Sequence, residues 1–259
     1  MTAAGLSVTW WGHAGVTVEC DGVRVLTDPL LVDRLAHLRR QAPSVPGDAR
    51  RADVVLVSHL HADHLHVGSL RQVDPRATLV VPRGAATLLV SLPHRVVEVA
   101  PGEQVTVGDV EVQVLPASHD DRRHPASSLR ASAVGFRFTV GGRSVWFPGD
   151  TGPRADHADL QPVNLGLVPV GGWGPSLGDG HLTPEQAADA TRAVGCRWVL
   201  PVHHGTLWPM GLRHLDPAGF RRWFTEPAPR FATLLADDDV EVVRARHNTP
   251  VVLGVGDDE

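Results

Sequence analysis

The eight residues 58–65, Ser-His-Leu-His-Ala-Asp-His-Leu, constrain this chain more than any other stretch. They follow an apolar run, Val54 to Val57, which is predicted to be a buried strand. They precede Val67 to Val73, which is predicted to begin a helix. The motif is therefore expected on a loop between a strand and a helix, where side chains can converge without leaving buried backbone groups unpaired.

The spacing of this motif is suited to metal binding. Alternate side chains of an extended segment share a face, so His59 and His61 can present two imidazoles to one cation. Asp63 and His64 follow where the chain turns and can face a second cation. Imidazole and carboxylate ligands suit zinc, iron or manganese. The simpler alternative is a histidine-rich loop that binds no metal.

Three further predicted strands each end beside a histidine or an aspartate, as the strand before the motif does. The residues at these ends are His119, Asp150 and the adjacent pair His203 and His204. Asp150 is flanked by glycines, which allow close approach of the backbone, and a carboxylate there can bridge two cations. Four separate strand ends thus supply candidate metal ligands.

Other residues near these positions have both a structural and a functional interpretation. His13 is interpreted as a buried, hydrogen-bonded residue beside the ligands rather than a ligand, and Asp28, which precedes a proline, as a turn residue. His181 precedes a predicted helix, where it either protonates a leaving group or makes a hydrogen bond at the helix start. Trp173 and Trp208 are assigned to the core in preference to the wall of an apolar pocket.

Two stretches between predicted strands are ambiguous. Residues 30–52 contain a predicted short helix, Leu30 to Arg40, and form either one wall of a pocket or a plain surface loop. Residues 120–132 form a polar loop in which Arg122 and Arg123 are suited to grip a carboxylate or phosphate. The alternative for that loop is a solvated surface segment.

Composition restricts the partners and the compartment. The net charge of −5 argues against nucleic acid, since binding to a phosphate backbone needs a basic face. No apolar run reaches the length of a membrane span, so no integral membrane association is expected. Residues 1–8 have neither a basic region nor an apolar run, and the only two cysteines, Cys20 and Cys196, are expected to be reduced. A cytoplasmic location and a single domain over residues 1–259 follow as expectations.

The order H-x-H-x-D-H, then His119, Asp150 and His203, resembles the pattern of the metallo-β-lactamase superfamily over nearly the whole chain. The resemblance implies an α/β fold, a four-layer αβ/βα sandwich, with a dinuclear site at the edge of its two sheets. It implies two divalent metal ions, most simply zinc, with manganese or iron as alternatives. The implied ligands of one metal are His59, His61 and His119, those of the other are Asp63, His64 and His203, and Asp150 bridges them.

Further segments resemble one branch of that superfamily, which includes N-acyl-phosphatidylethanolamine phospholipase D and ascorbate-phosphate lactonase-like proteins. The segments that carry this likeness are Trp-Gly-His-Ala at 11–14, Asp-Pro at 28–29, Gly-Asp-Thr-Gly at 149–152, Pro-Val-Gly at 169–171, His-Leu-Thr-Pro-Glu-Gln-Ala at 181–187 and His-His-Gly-Thr at 203–206. The Pro-x-His-x-Gly-Thr phasing selects His203 over His204 as the last ligand.

The resemblance implies a hydrolase in which a hydroxide held by two metals attacks a phosphodiester or a phosphorylated small molecule. Asp63 or Asp150 would orient the nucleophile, and His181 or His204 would protonate the leaving group. The alternatives are hydrolysis of a lactone or ester, oxidation of a sulfur substrate at a single iron, and a metal-stabilised binding module without turnover.

Overall fold

The computed structural model describes residues 5–254, which are organised around two large sheets and one small one. Residues 1–4, part of the segment considered for a secretory signal, lie outside that range. Within residues 5–254, every helix is too short or too polar to cross a lipid bilayer.

The first sheet has an antiparallel half and a parallel half. Its strands, in spatial order, are β17 (Pro250–Leu253), β1 (Leu6–Gly12), β2 (Gly15–Cys20), β3 (Val23–Thr27), β6 (Val54–Leu56), β7 (Thr78–Pro82) and β8 (Arg95–Val99). Strands β17, β1, β2 and β3 pair antiparallel, whereas β3, β6, β7 and β8 pair parallel. Strands β6 and β7 read as apolar runs because they are buried on both faces, whereas the edge strand β8 exposes Arg95 and Glu98.

The second sheet has the same mixed organisation. Its strands, in spatial order, are β16 (Glu241–Val242), β14 (Cys196–Val202), β13 (Val163–Pro169), β12 (Arg143–Phe147), β11 (Val134–Val140), β10 (Val110–Pro116) and β9 (Gln104–Val107). Strands β9 to β12 pair antiparallel, and β12, β13, β14 and β16 pair parallel. Gly141 and Gly142 form the hairpin turn that connects β11 and β12.

The predicted helix at Leu30 to Arg40 is wrong. That stretch contains β4 (Arg34–Leu35) and β5 (Leu38–Arg40), which form the small sheet with β15 (Leu207–Pro209). The pairing of Arg40 with Leu207 explains the error, because the partner strand lies far away in the sequence and local periodicity cannot reveal it.

Helical segments are short, and most of them cover the outer faces of the sheets. The α-helices are α1 (Val67–Leu70), α2 (Pro184–Val194), α3 (Leu212–Leu215), α4 (Pro217–Phe220) and α5 (Pro227–Leu234). Three 3-10 turns span Gly47–Arg50, Ala85–Leu88 and Ala155–Asp159, and a π-turn spans Arg221–Thr225. Helix α2 begins as the sequence predicts, with Thr183 and Gln186 forming a capping box around Pro184.

Three apolar clusters show how these layers pack. The central cluster joins the facing surfaces of the two large sheets, with Val8 and Val16 from the first and Phe136 and Leu200 from the second among its members. A second cluster lies under α1 on the outer face of the first sheet, and a third lies under α2 and α5 on the outer face of the second. The arrangement is the four-layer α/β sandwich that the sequence predicts.

Candidate metal centre

The histidine motif occupies the loop that follows β6. The backbone N–H groups of His64 and Leu65 donate to the carbonyl of His61 at 3.1 and 2.9 Å, so the chain turns directly after His61. This turn separates the side chains of the motif into two sets. His59 and His61 come before the bend, and Asp63 and His64 come within it.

His59, His61 and His119 form the first group of candidate ligands, which we call the open group. One nitrogen from each residue lies within 4.8 Å of the others, and Nδ1 of His61 is 3.0 Å from Nε2 of His119. The other ring nitrogen of His119 donates to the carbonyl of Gly180 at 2.9 Å. His59 is fully buried, whereas His61 and His119 are half-buried, so this group is open to solvent on one side.

Asp63, His64 and His203 form the second group of candidate ligands, together with His13, and we call it the deep group. Their ligand atoms also lie within 4.8 Å of one another, and the Nε2 atoms of His64 and His203 are 3.1 Å apart. Nδ1 of His203 donates to the carbonyl of Gly171 at 2.8 Å. All four members are buried, so this group forms the deep end of the centre.

Asp150 lies between the two groups. Its Oδ2 atom is 3.2 Å from Nε2 of both His64 and His203, and 4.0 Å from Nε2 of His59. His181 approaches the same oxygen from the solvent side, at 3.3 Å. The carboxylate of Asp150 therefore occupies the position from which one residue can reach both groups.

Asp28 has a larger role than the sequence interpretation gave it. It is a fully buried carboxylate that accepts hydrogen bonds from the backbone and hydroxyl groups of Ser58, at 2.8 and 2.5 Å. It also accepts from Nδ1 of His64 at 2.6 Å. The interpretation as a simple turn residue is therefore wrong. The available signal was its position at the end of β3, which is the parallel neighbour of β6.

The donor set fits divalent cations. His64, His119 and His203 each use Nδ1 for a neighbouring oxygen, which leaves the Nε2 lone pairs directed at the centre. The Nε2 atom of His59 and the Oδ1 atom of Asp150 are buried and have no hydrogen-bond partner among residues 5–254. Buried polar atoms normally have partners, so imidazoles and carboxylates left in this way are suited to bind a cation.

The electrostatics of the centre favour the binding forms of His59, Asp63 and Asp150, but Asp150 and Asp63 outweigh burial and raise the pKa of His64 well above its usual range. Burial and the neighbouring His64 hold the pKa of His59 well below its usual range, which keeps its imidazole neutral. Burial opposes ionisation of Asp150, but the adjacent His203 and His64 outweigh it and hold its pKa well below the usual range. Asp63 is ionised for the same reasons, with His64 and His13 as the opposing partners. Burial acts to lower the pKa of His181, but the hydrogen bond that His181 donates to Asp150 outweighs burial, so the pKa is raised.

His204 lies outside both groups. Its ring packs beside the indole of Trp10, with the centroids 4.9 Å apart. Burial, together with the nearby His247, lowers its pKa to about 4. The side chains of the consecutive residues His203 and His204 therefore have different surroundings, and this position does not support the expectation that His204 is a proton donor at the centre.

The two tryptophans considered for a pocket wall differ in the structure. Trp208 is fully buried and packs edge-on against Phe220 at 5.3 Å between centroids, which makes it a core residue. Trp173 is half-buried and meets the ring of His37 edge-on at 5.4 Å. It lies two residues after Gly171, whose carbonyl accepts a hydrogen bond from His203, and it packs against the apolar cluster of Leu30, Leu38 and Leu207.

Arg122 and Arg123 of the 120–132 loop already bind to groups of the protein itself. Arg122 forms a bidentate ion pair with Asp120, with its shortest contact at 2.7 Å. Arg123 donates to the carbonyl of Leu65 at 2.8 Å and also to that of Leu60. Arg123 thus stabilises the motif loop and does not bind a carboxylate or phosphate group. The sequence did not indicate this role.

Comparison with known proteins shows which family this chain belongs to. The family model described as a beta-lactamase superfamily domain matches residues 23–204. An uncharacterized protein of Mycobacterium tuberculosis (strain ATCC 25618 / H37Rv) is 33% identical over 223 residues, which cover 79% of this chain and 60% of that protein. The chain therefore spans less than two thirds of the length of this relative.

Two further relatives carry functional names. The N-acyl-phosphatidylethanolamine-hydrolyzing phospholipase D 1 of Caenorhabditis elegans is 28% identical over 243 residues, covering 83% of this chain and 68% of that protein. A UPF0173 metal-dependent hydrolase of Carboxydothermus hydrogenoformans is 32% identical over 213 residues, covering 79% and 87%. Among solved structures, the metallo hydrolase Igni18 from Ignicoccus hospitalis superposes with a TM-score of 0.72 at 19% identity, covering 97% of this chain and all of that one.

Proposed function

Since the chain belongs to the metallo-β-lactamase superfamily, we propose that it is a metal-dependent hydrolase with a dinuclear centre. The observation that carries this proposal is the position of Asp150. Its carboxylate oxygen lies 3.2 Å from ligand nitrogens of the deep group and 4.0 Å from His59 of the open group. One carboxylate within reach of two complete ligand groups is the arrangement that a pair of cations requires.

In this proposal each group holds one cation. His59, His61 and His119 would hold the first, Asp63, His64 and His203 would hold the second, and Asp150 is within reach of both groups. Zinc is the metal proposed, and manganese or iron would also suit the imidazole and carboxylate ligands. Divalent cations bound there would supply Lewis-acid activation of water and of the substrate oxygen.

The protein's own groups would orient the reactants. Asp63 and Asp150 are buried, ionised carboxylates that can accept a proton or a hydrogen bond from an attacking water. His13 holds Asp63 in place through a 2.9 Å contact. His181 is half-buried on the solvent side of Asp150, where a substrate arrives, and it is the residue proposed to protonate the leaving group.

A phosphodiester or phosphorylated small molecule is the proposed substrate class. The Caenorhabditis elegans relative is named as a phospholipase D, which supports a phosphoester over a lactone. Two cations would also attract an anionic phosphate, and the resulting oxyanion charge is what such centres stabilise. Lactones and other esters are the second class, since the same attack on a carbonyl carbon uses the same residues.

The test combines metal content with turnover on one untagged sample. We expect two zinc or manganese ions per chain by inductively coupled plasma mass spectrometry, and hydrolysis of bis(p-nitrophenyl) phosphate. Asp150→Asn should lose activity by about a hundredfold or more and bind fewer metal ions, whereas Asp159→Asn, an exposed carboxylate nine residues later, should match the native protein.

The other outcomes distinguish the alternatives. Two metals without phosphodiester turnover would overturn the proposed substrate class and favour lactones and esters. A single iron with oxygen consumption would overturn the hydrolase itself. Full metal loading without turnover on phosphodiesters, lactones or esters would favour a binding module.

A further inference from the structure

A cavity of about 520 Å³ lies outside the metal centre, between α5 and the segment 242–245. Its buried lining includes Trp10, Leu200 and Val243, and Ala232 of α5 lines the opposite side. This volume falls within the range of about 300–1,000 Å³ that is typical of small-molecule sites. The lining is predominantly aliphatic and aromatic, so it suits the hydrocarbon part of a ligand.

Arg244 is the only charged residue of this lining within the described range 5–254, and no acidic side chain accompanies it. The hydroxyl of Thr233, which also lines the cavity, donates to the carbonyl of Pro229 at 3.0 Å. The side chain of Arg244 makes neither an ion pair nor a hydrogen bond with any residue between 5 and 254. The cavity therefore combines an apolar interior with one cation that has no counter-ion there.

The packing of the segment 242–245 shows which way Arg244 points. This segment continues β16 alongside β14, and the backbone N–H of Val243 donates to the carbonyl of Val199 at 2.8 Å. Val243 and Ala245 pack into the central cluster between the two large sheets, whereas Val242 packs into the cluster under α5. Since alternate residues of an extended segment share a face, Arg244 lies on the side of Val242, which α5 covers. Arg244 is also exposed, which places it at the mouth of the cavity.

Trp10 separates this cavity from the metal centre. Its indole N–H donates to the carbonyl of His13 at 2.9 Å, and the backbone N–H of His203 donates to the same oxygen at 2.9 Å. Trp10 therefore contacts the cavity on one side and the backbone of the centre on the other. A molecule held against Trp10 in the cavity would lie behind His203, away from the side on which the centre opens to solvent.

We propose that this cavity binds a small amphipathic carboxylate, whose hydrocarbon chain fills the apolar interior and whose head group pairs with Arg244. A guanidinium and a carboxylate can form two parallel hydrogen bonds. The single charge of Arg244 matches a carboxylate, whereas a phosphate monoester would bring nearly two negative charges. At the mouth of the cavity the head group keeps part of its hydration, so its charge need not be buried. This site is separate from the proposed reaction and does not depend on it.

The test compares three probes that separate the head group from the chain. Binding of octanoate, hexanoate and 1-octanol to the metal-loaded protein is measured by titration calorimetry at low salt. We expect octanoate to bind about fivefold more tightly than 1-octanol, which is the effect of one partly exposed ion pair. Hexanoate should bind roughly tenfold more weakly than octanoate, because two fewer CH₂ groups are buried.

One pair of variants tests the cation. Arg244→Gln keeps a long polar side chain but removes the charge, and it should bind octanoate no more tightly than 1-octanol. Arg246→Gln changes the net charge of the protein equally, two residues later, at an exposed position outside the lining. It should keep the native preference for octanoate.

A second pair of variants tests the cavity itself. Ala232→Trp places a large side chain in the cavity and should abolish binding of all three probes, whereas Ala155→Trp, at an exposed position outside the lining, should bind as the native protein does. Circular dichroism and metal content establish that each variant is folded.

Four results would overturn the proposal. The first is no heat of binding for octanoate below the concentration at which it forms micelles. The second is an unchanged preference for octanoate in Arg244→Gln. The third is undiminished octanoate binding in Ala232→Trp, since the carboxylate would then bind elsewhere, for example at the metal centre. The fourth is self-association of the native protein in sedimentation that Ala232→Trp abolishes, since a second copy of the chain would then cover the cavity.

Discussion

His13 and Asp63 contact each other at 2.9 Å between Nε2 and Oδ2, and both side chains are buried. His13 adopts a left-handed backbone conformation with φ of 53°, which is uncommon for a residue other than glycine. The backbone N–H of His13 donates a hydrogen bond to the hydroxyl of Thr206 at 2.7 Å. A residue distant in sequence therefore helps to fix the imidazole that orients a proposed metal ligand.

Replacing His13 by Phe should weaken metal binding. The change leaves the buried carboxylate of Asp63 without this partner, and loss of such an orienting contact typically lowers metal affinity by about 10–100-fold. Competition with a chromophoric chelator measures the affinity, and His214→Phe, at an exposed position, is the matched control. Unchanged affinity in His13→Phe would show that Asp63 needs no help from His13.

Asp28→Asn should disturb the deep group without removing a ligand. Asp28 accepts three hydrogen bonds, so an amide N–H₂ would face a donor from Ser58 or His64. We expect metal affinity to fall by about 10–100-fold, with less activity at limiting metal. Asp109→Asn, on the surface, should leave both properties unchanged. An Asp28→Asn protein with native affinity would contradict the role assigned to this carboxylate.

Gly149→Ala should destabilise the loop that carries Asp150. A Cβ at position 149 would lie 2.5 Å from Cβ of Ser58, and the residue also has a φ of +63°. Overlap and backbone strain together should lower the free energy of unfolding by about 2–4 kcal/mol. Urea denaturation measures this loss.

Gly108→Ala separates the two causes. Gly108 has a φ of +57°, but a Cβ there would meet no atom within 4 Å. Gly108→Ala should lower the free energy of unfolding by about 1–2 kcal/mol, which is the cost of the backbone strain alone. Equal losses in the two variants would show that the contact with Ser58 is relieved by a small shift.

Arg123→Gln should loosen the motif loop. The guanidinium bonds to the carbonyls of Leu60 and Leu65, and these lose a charged donor in the variant. Bonds of this kind are worth about 1.5–3 kcal/mol, so we expect a comparable loss of stability, together with faster hydrogen exchange in the motif. Arg130→Gln, in the same loop but exposed and paired with Asp121, should lose under about 1 kcal/mol. Native exchange rates in Arg123→Gln would contradict the bracing role.

Chelation of the metals should lower the melting temperature. The proposed ligands come from loops of both large sheets, and a ligand that binds the folded state alone stabilises it by about 2.7 kcal/mol at a hundred times its dissociation constant. Calorimetry with and without a chelator measures the effect, and Asp150→Ala should respond less. Identical melting curves with and without chelator would count against metal binding in the folded state.

The strand ends that carry the candidate ligands could be predicted because their signal is local. His119, Asp150 and His203 each follow a strand whose hydrophobic pattern is legible in the sequence, and the parallel or paired arrangement of such strands brings their ends together. The same reasoning could have identified Asp28. Its proline neighbour suggested a turn, and nothing local to residue 28 shows that Ser58 and His64 donate to it.

The remaining differences depend on contacts between distant segments. The β4–β5 hairpin exists because β15 pairs with β5, and Arg123 serves the motif because the 120–132 loop crosses it. The neighbours of His204 could not be predicted from the sequence either, since Trp10 and His247 come from opposite ends of the chain. Local pattern predicts strands and helices, but not which long-range partner a side chain will meet.

The distribution of the ligands along the chain also sets when a metal can be acquired. The open group is complete once His119 has been synthesised, but the deep group lacks a ligand until His203 has emerged and β14 has paired with β13. If the proposed dinuclear assignment is correct, a nascent chain that ends before β14 can hold at most one of the two ions. Under the proposed assignment, full metallation would then be a late event in biogenesis, because a chain that carries both ions has already paired β14 with β13.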